Sequence, residues 1–271
     1  MDRCIITGRQ NLLQKNPKYK LANSSLCCKY IDDVLMLASQ NNFNAIEWDL
    51  NYIPPTLSRY RQHTIGETIK QKSIEVRYHL PYSYIEIAHQ DDDIRMMSMF
   101  TLRQYINFIA QLNGHFAVLH VGYNEGSRAN IALDSLKSLA DYGERLGVQL
   151  CVENLIKGLT TDAHFLGDAL EISNVAFCLD TGHADVITSK DSDFFNILYA
   201  NVGKIYHAHC YKTEDNYYNH IPFSSLDEVK QSRVFSLLLQ SECSWLTMEL
   251  DRQEDQDWQI QILQTYLNEK N

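Results

Sequence analysis

Six polar residues stand where apolar runs of this chain stop: His79, His120, Glu153, Asp180, His209 and Glu249. The clearest case is the stretch from Val175 to Val186, VAFCLDTGHADV, in which an apolar run without helical period ends at Asp180-Thr181-Gly182-His183. Side chains alternate along a strand, so the residue two positions back shares the face of each candidate. Cys151 precedes Glu153 in this way, Cys178 precedes Asp180 and Thr247 precedes Glu249. Small side chains suit the crowded inside of a barrel, which points these acids inward at its rim. Glu153, Asp180, His209 and Glu249 follow one another at 27, 29 and 40 residues, each close to one strand-and-helix unit. Two glutamates with an aspartate and a histidine make an oxygen-rich site for Mn²⁺, Mg²⁺, Co²⁺ or Zn²⁺. His79, His120, His183 and His220 add imidazole for a second ion or for substrate.

Singly, several of these residues have simpler explanations. Asp180 with Thr181 makes an ordinary helix cap, and a lone His79 or His120 is usually a hydrogen-bonded rim histidine. His207 shares a face with His209 one layer deeper and reads as a supporting residue. Glu153 and Glu249 resist such accounts, because a carboxylate inside a buried strand is costly without a cation or hydrogen-bond donors. Six such residues at successive strand ends favour a metal site at the carboxyl ends of the strands.

The elements that would position them alternate. The sequence predicts strands at Cys4–Thr7, Phe43–Leu50, Ile74–Leu80, His115–Val121, Val148–Glu153, Val175–Asp180, Lys204–Tyr211 and Trp245–Leu250. Helices are predicted at Lys29–Gln40, Thr56–Lys72, Asp93–Leu112, Arg128–Leu146, Asp162–Leu170, Asp193–Asn201, Leu226–Gln240 and Gln253–Leu267. A polar stretch from Gly8 to Ser25 reads as a long loop; its Arg9, Lys15, Lys18 and Lys20 would cover the site, hold a phosphate or simply be solvated. Arg252 is a further weak candidate for an anion. Eight alternations without a break in composition predict an α/β fold, one (β/α)8 TIM barrel as a single domain over residues 1–271.

Bulk properties narrow the function classes. At 271 residues the chain is near the roughly 250 typical of one such barrel. A net charge of −10 argues against a nucleic-acid or anionic-membrane surface. Seven cysteines in no zinc-ribbon spacing, two of them inside apolar runs, read as reduced thiols of a cytoplasmic protein. No run approaches the roughly 20 apolar residues of a membrane helix, and the N-terminus lacks a signal-peptide core.

The ordered segments HLPYSYIEIA (79–88), HFAVLHVGY (115–123), CVEN (151–154), CLDTGHAD (178–185), HAHCY (207–211) and MEL (248–250) resemble the xylose isomerase-like TIM-barrel superfamily. That superfamily holds sugar isomerases and epimerases, inosose dehydratases and endonuclease IV. The resemblance runs from about Phe43 to the end of the chain. For the single-metal ketose epimerases it implies Glu153, Asp180, His209 and Glu249 as ligands of one divalent ion, with His183 facing the substrate. It also implies Glu153 and Glu249 as the acid and base of proton transfer through a metal-stabilised enediolate.

For endonuclease IV it implies His79 and His120 at a first zinc, the same four residues at a second, and His183 with His220 at a third. The chain departs from that last pattern at Tyr218-Asn219-His220, where an acid is called for two residues before the histidine. HCYK (209–212) and IPFSSL (221–226) replace the usual motif after the seventh strand. The expectation is therefore an isomerase or epimerase of a small sugar, sugar phosphate or related ketone. An abasic-site endonuclease is the alternative, and a barrel that binds a ligand without catalysis a third. The expected partner is a small sugar, with no membrane or nucleic acid; a homo-oligomer is left open.

Overall fold

The computed structural model describes residues 18–25, 33, 36, 45–51, 58–124, 126–188, 192–215, 217 and 219–270. Strands β1 (Lys20–Ser24), β2 (Ala45–Asp49), β3 (Glu75–His79), β4 (Phe116–Leu119), β5 (Gln149–Glu153), β6 (Val175–Asp180) and β7 (Ile205–His209) build the barrel with β10 (Trp245–Met248). Two short strands, β8 (Thr213–Glu214) and β9 (His220–Ile221), form an antiparallel pair between β7 and β10. The barrel closes in the order β1-β10-β7-β6-β5-β4-β3-β2 with every neighbouring pair parallel. Helices surround it, giving the (β/α)8 architecture expected from the sequence.

Burial on both faces explains why the strands are almost wholly apolar. Ile46, Trp48, Leu150, Val152, Phe177, Leu179, Leu246 and Met248 belong to the large core shared with the helices. Burying each such Leu, Ile, Val or Phe contributes roughly 1.5–3 kcal/mol. The alternate residues face inward. Val118, Cys151, Ala176 and Cys178 form a small interior layer, and the charged residues stand above it. One bulge matters here: Phe177 pairs with Ile205 but Cys178 pairs with His207, leaving Tyr206 as the extra residue. Ile205 accordingly packs in the outer core, whereas His207 and His209 face the interior. A bulge beside a site that re-aims side chains in this way is common.

Three expectations need correction. The stretch from Gly8 to Ser25 is not loop throughout, because Lys20–Ser24 is the first barrel strand, hydrogen-bonded to β10 and β2. Its centre, Leu21-Ala22-Asn23, has a single large apolar residue, and Asn23 is tied to Gln256 at 2.9 Å, so it carries little apolar signal. The strand expected at Cys4–Thr7, most of the loop with Arg9 and Lys15, and most of the helix expected at Lys29–Gln40 lie outside the described residues.

The helix expected over Leu226–Gln240 is two, Leu226–Gln231 and Arg233–Leu238, because Ser232 leaves the helical region (φ −67°, ψ 115°). Its hydroxyl caps the second helix at Phe235 N, 3.1 Å away. Arg252 does not face the site; its guanidinium pairs with Asp255 at 2.7 and 2.8 Å on the surface. No helix among the described residues is long and apolar enough to cross a membrane.

Candidate metal centre

Asp180 ends β6 and opens the helix Thr181–Thr188 directly, so it caps that helix. Its Oδ1 accepts from His183 N at 2.7 Å as a helix cap, while its Oδ2 is buried and makes no hydrogen bond. The strand end is fixed from the side: Asn154 accepts from Asp180 N and donates to Asp180 O, each at 2.9 Å. Gly182 is required here, because a Cβ would lie 1.9 Å from the ring of Tyr211.

Ligand-capable atoms of Glu153, Asp180, His209 and Glu249 lie within 4.8 Å of one another. His209 Nδ1 is 3.6 Å from both Glu153 Oε1 and Asp180 Oδ2, and 2.6 Å from Glu249 Oε2. That last approach is close but misdirected, and both atoms are without a hydrogen bond. Three buried polar atoms from three strand ends, Asp180 Oδ2, His209 Nδ1 and Glu249 Oε2, thus converge without partners. Leaving such atoms unpaired costs about 1–3 kcal/mol each, more for charged ones. A divalent cation at their common focus satisfies all three, and the donor set fits one.

Two further groups adjoin this one. His79 and His120 direct Nε2 at Glu153 Oε2, at 3.2 and 3.1 Å. His183 directs Nε2 at Glu214 Oε2, 2.7 Å away, and His220 Nε2 is 3.9 Å from the same oxygen. In His79, His183 and His220 the other nitrogen, Nδ1, faces a backbone carbonyl: Leu80 O at 2.9 Å, Asn154 O at 2.9 Å and Glu249 O at 2.8 Å. A carbonyl can only accept, so Nδ1 carries the proton and Nε2 is aimed inward as a ligand or second donor.

The candidate ligands and imidazoles read from the sequence, Glu153, Asp180, His209, Glu249, His79, His120, His183 and His220, therefore gather at this rim, whereas Arg252 does not. Two acids were missed. Glu214 comes from the β8–β9 pair, where it sits opposite His220 and places a carboxylate beside it. Residue 218 itself lies outside the described residues. Nothing in the sequence marked Glu214, since a two-residue strand has no period to read. Glu47 was legible: it lies between Ile46 and Trp48 in a buried run, the signal that identified Glu153.

Electrostatics follow from burial among opposite charges. Burial works against ionisation of Glu153, but the imidazoles of His120 and His209 hold its carboxyl well below the usual range. Burial likewise opposes a charged His79, and the hydrogen bond and charge of Glu153 override it, lifting His79 to about 9. His183 and His209 are also raised well above 6.5 against burial, the first by Asp180 and Glu153, the second by neighbouring acidic groups. In the metal-free protein His79 therefore stabilises the fold fully below its ordinary 6.5, and this contribution is lost as the pH rises through about 9.

Metal binding has the opposite sign, because a ligating imidazole must be neutral. Affinity for a divalent ion should rise across the same window, by up to about tenfold per pH unit for each proton displaced. Zn²⁺ titrations at pH 6.5 and 8.5 in buffers of different ionisation enthalpy would measure both the affinity and the proton release. A pH-independent affinity with no protons released would show that these histidines are not displaced by the ion.

A cavity of about 700 Å³ opens above the three groups. Its walls include Tyr82, Tyr123, Leu155 and Ile156, and Tyr82 stacks on His120 at 4.8 Å. Beside its imidazoles the cavity carries the acids Asp49, Glu86 and Asp251, and no described lining residue is Lys or Arg.

Among solved structures, one described as a D-tagatose 3-epimerase-like protein superposes with a TM-score of 0.73 at 20% identity, covering 93% of this chain and 99% of that one. D-allulose 3-epimerase from Methylomonas sp., in complex with D-allulose, gives 0.71 at 13% identity over 92% and 96%. Endonuclease IV from Thermus thermophilus gives 0.66 at 16% identity over 93% and 100%. At these identities the likeness is one of fold. An uncharacterised protein of Methanocaldococcus jannaschii is 22% identical over 212 residues, 77% of this chain and 82% of its own length. The profile of the xylose isomerase-like TIM barrel matches residues 35–266, most of the chain and every barrel strand after β1, and the protein belongs to that family.

Proposed function

We propose that the protein is a divalent-metal-dependent isomerase or epimerase of a small sugar or related ketone, built as one barrel domain. The observation that carries this reading is the pair Glu153 and Glu249 gathered with the convergent orphan atoms of Asp180 and His209 at the base of a cavity. A cation bound there would act as a Lewis acid on a carbonyl and an adjacent hydroxyl, acidifying the carbon between them.

The chain's own residues supply the rest. One glutamate takes the proton from that carbon and the other returns one from the opposite face. Both carboxylates are largely buried at the cavity floor, and Tyr82 and Tyr123 offer apolar faces to the substrate. The test is solvent exchange: metal-loaded protein incubated with a panel of ketoses in D2O should incorporate deuterium next to the carbonyl, and chelated protein should not.

One observation favours a second reading. His183, Glu214 and His220 form a third group beside His79/His120/Glu153 and the central four, the arrangement an endonuclease IV-type site calls for. An exchange screen without signal, together with cleavage of abasic-site DNA by the metal-loaded protein, would replace the isomerase reading with this one.

A further inference from the structure

We propose that Glu47 is the positioning residue of this centre, fixing the tautomer and aim of His209 so that its Nδ1 faces the ion. This inference rests on reading His209 as a ligand. Glu47 lies on β2, buried inside the barrel one layer below the rim. Its Oε1 is 2.9 Å from His209 Nε2. Its Oε2 accepts from Thr247 Oγ1 at 2.8 Å and contacts His207 Nε2.

The proton positions follow from donors that have no alternative role. Arg77 can only donate, and its Nη1 is 3.3 Å from His207 Nδ1, so that nitrogen is the acceptor. The proton of His207 therefore sits on Nε2 and is given to Glu47. Arg77 is itself held, donating to Tyr206 O at 2.6 Å and lying between the rings of Phe116 and Trp245 at 4.0 and 4.7 Å. Glu47 thus accepts from His207 and Thr247 on one oxygen and has the other left for His209. An ionised carboxylate only accepts, so His209 must present N–H at Nε2, and once neutral, as a ligating imidazole must be, it carries its lone pair at Nδ1. Nδ1 lies 2.6 to 3.6 Å from oxygens of Glu153, Asp180 and Glu249.

A column of polar groups, from half-buried Arg77 through buried His207 and Glu47 to His209, therefore runs up the inside of the barrel and ends at the proposed ion. Carboxylates behind a ligating histidine raise its basicity and fix its ring, and their loss costs about 10- to 100-fold in metal affinity. Gln at position 47 keeps the shape but offers one acceptor and one donor to three donors. Its amide cannot serve His209 and His207 together.

The experiment is a chelator-competition titration with Zn²⁺ on wild type, Glu47→Gln, Glu47→Asp and His209→Ala. It is paired with long-range ¹H–¹⁵N spectra of the zinc-loaded wild type. Glu47→Gln should bind zinc 10- to 100-fold more weakly, Glu47→Asp should recover part of that loss, and His209 in wild type should show a protonated Nε2. A wild-type His209 protonated at Nδ1 would overturn the inference even if the Gln variant does not fold. Unchanged zinc affinity in Glu47→Gln, with loss in His209→Ala, would overturn it while leaving the metal centre standing. Unchanged affinity in His209→Ala as well would overturn both.

Discussion

Glu153→Gln is expected to lower kcat in the ketose assay by about 100- to 10,000-fold, the range for removing a positioned acid or base. The barrel should remain folded. Both oxygens of Glu153 are engaged at the rim, Oε2 by His79 and His120 and Oε1 by the approach of His183 and His209. An amide of the same shape fills the same space above Cys151 and Val118, so no cavity opens in the interior layer. What is lost is the negative charge.

Removing one partner of a buried pair is severe when the other must stay charged. His79 is free to give up its proton instead, since it is Glu153 that lifts it to about 9. The variant should therefore melt cooperatively, and the alkaline loss of stability in its metal-free form should move to lower pH. Thermal melts across pH 6 to 10, followed by circular dichroism, would record that shift beside the kinetic assay. Near-normal turnover, or an unfolded variant, would defeat the assignment of Glu153 as acid or base.

Why so much of this site is readable without coordinates is a matter of period. Val175–Asp180 has the same bounds in sequence and structure because a buried parallel strand admits only apolar residues, and Asp180 breaks that run visibly. Glu153, His209 and Glu249 betray themselves in the same way. Glu47 obeys the same rule without ending its run, because Trp48, Asp49 and Leu50 follow it, so no break marks it. Lys20–Ser24 escaped for the opposite reason. An inward Ala22 and an Asn23 held by Gln256 leave it hardly more apolar than a loop. Glu214 is a different failure: its position depends on how β8 pairs with β9, and nothing local encodes which acid of Thr213-Glu214-Asp215 meets His220. Asp215 turns to Asn219 instead, accepting from its side chain at 2.9 Å.

Glu249→Ala is expected to remove the central ion and leave the barrel standing. The carboxylate contributes one of the three buried atoms without a hydrogen bond, and β10 itself ends at Met248. The backbone carbonyl of residue 249, which accepts from His220 Nδ1 at 2.8 Å, is untouched by the substitution. His220 and the Glu214 group should therefore keep their places, and so should His79, His120 and Glu153. Affinity at the central position should fall by more than the roughly 100-fold upper range for losing a mere supporting residue, because a direct donor is gone.

The loss should also be visible in stability. At a free ion concentration 100 times the dissociation constant, binding to the folded state alone adds about 2.7 kcal/mol, and the variant should forfeit that gain at the same concentration. Metal analysis of protein purified without added ion or chelator, set beside melts with and without Zn²⁺ or Mn²⁺, gives both readouts. If wild type carries about one equivalent and the variant none, the single-ion isomerase reading gains its ligand set. If wild type carries several equivalents and the variant loses only one, the adjoining histidine groups are metal sites too, and the abasic-site assay becomes the deciding one. If the variant binds as well as wild type, the convergence of Asp180, His209 and Glu249 has another cause, and Glu249 holds neither the metal nor the proton.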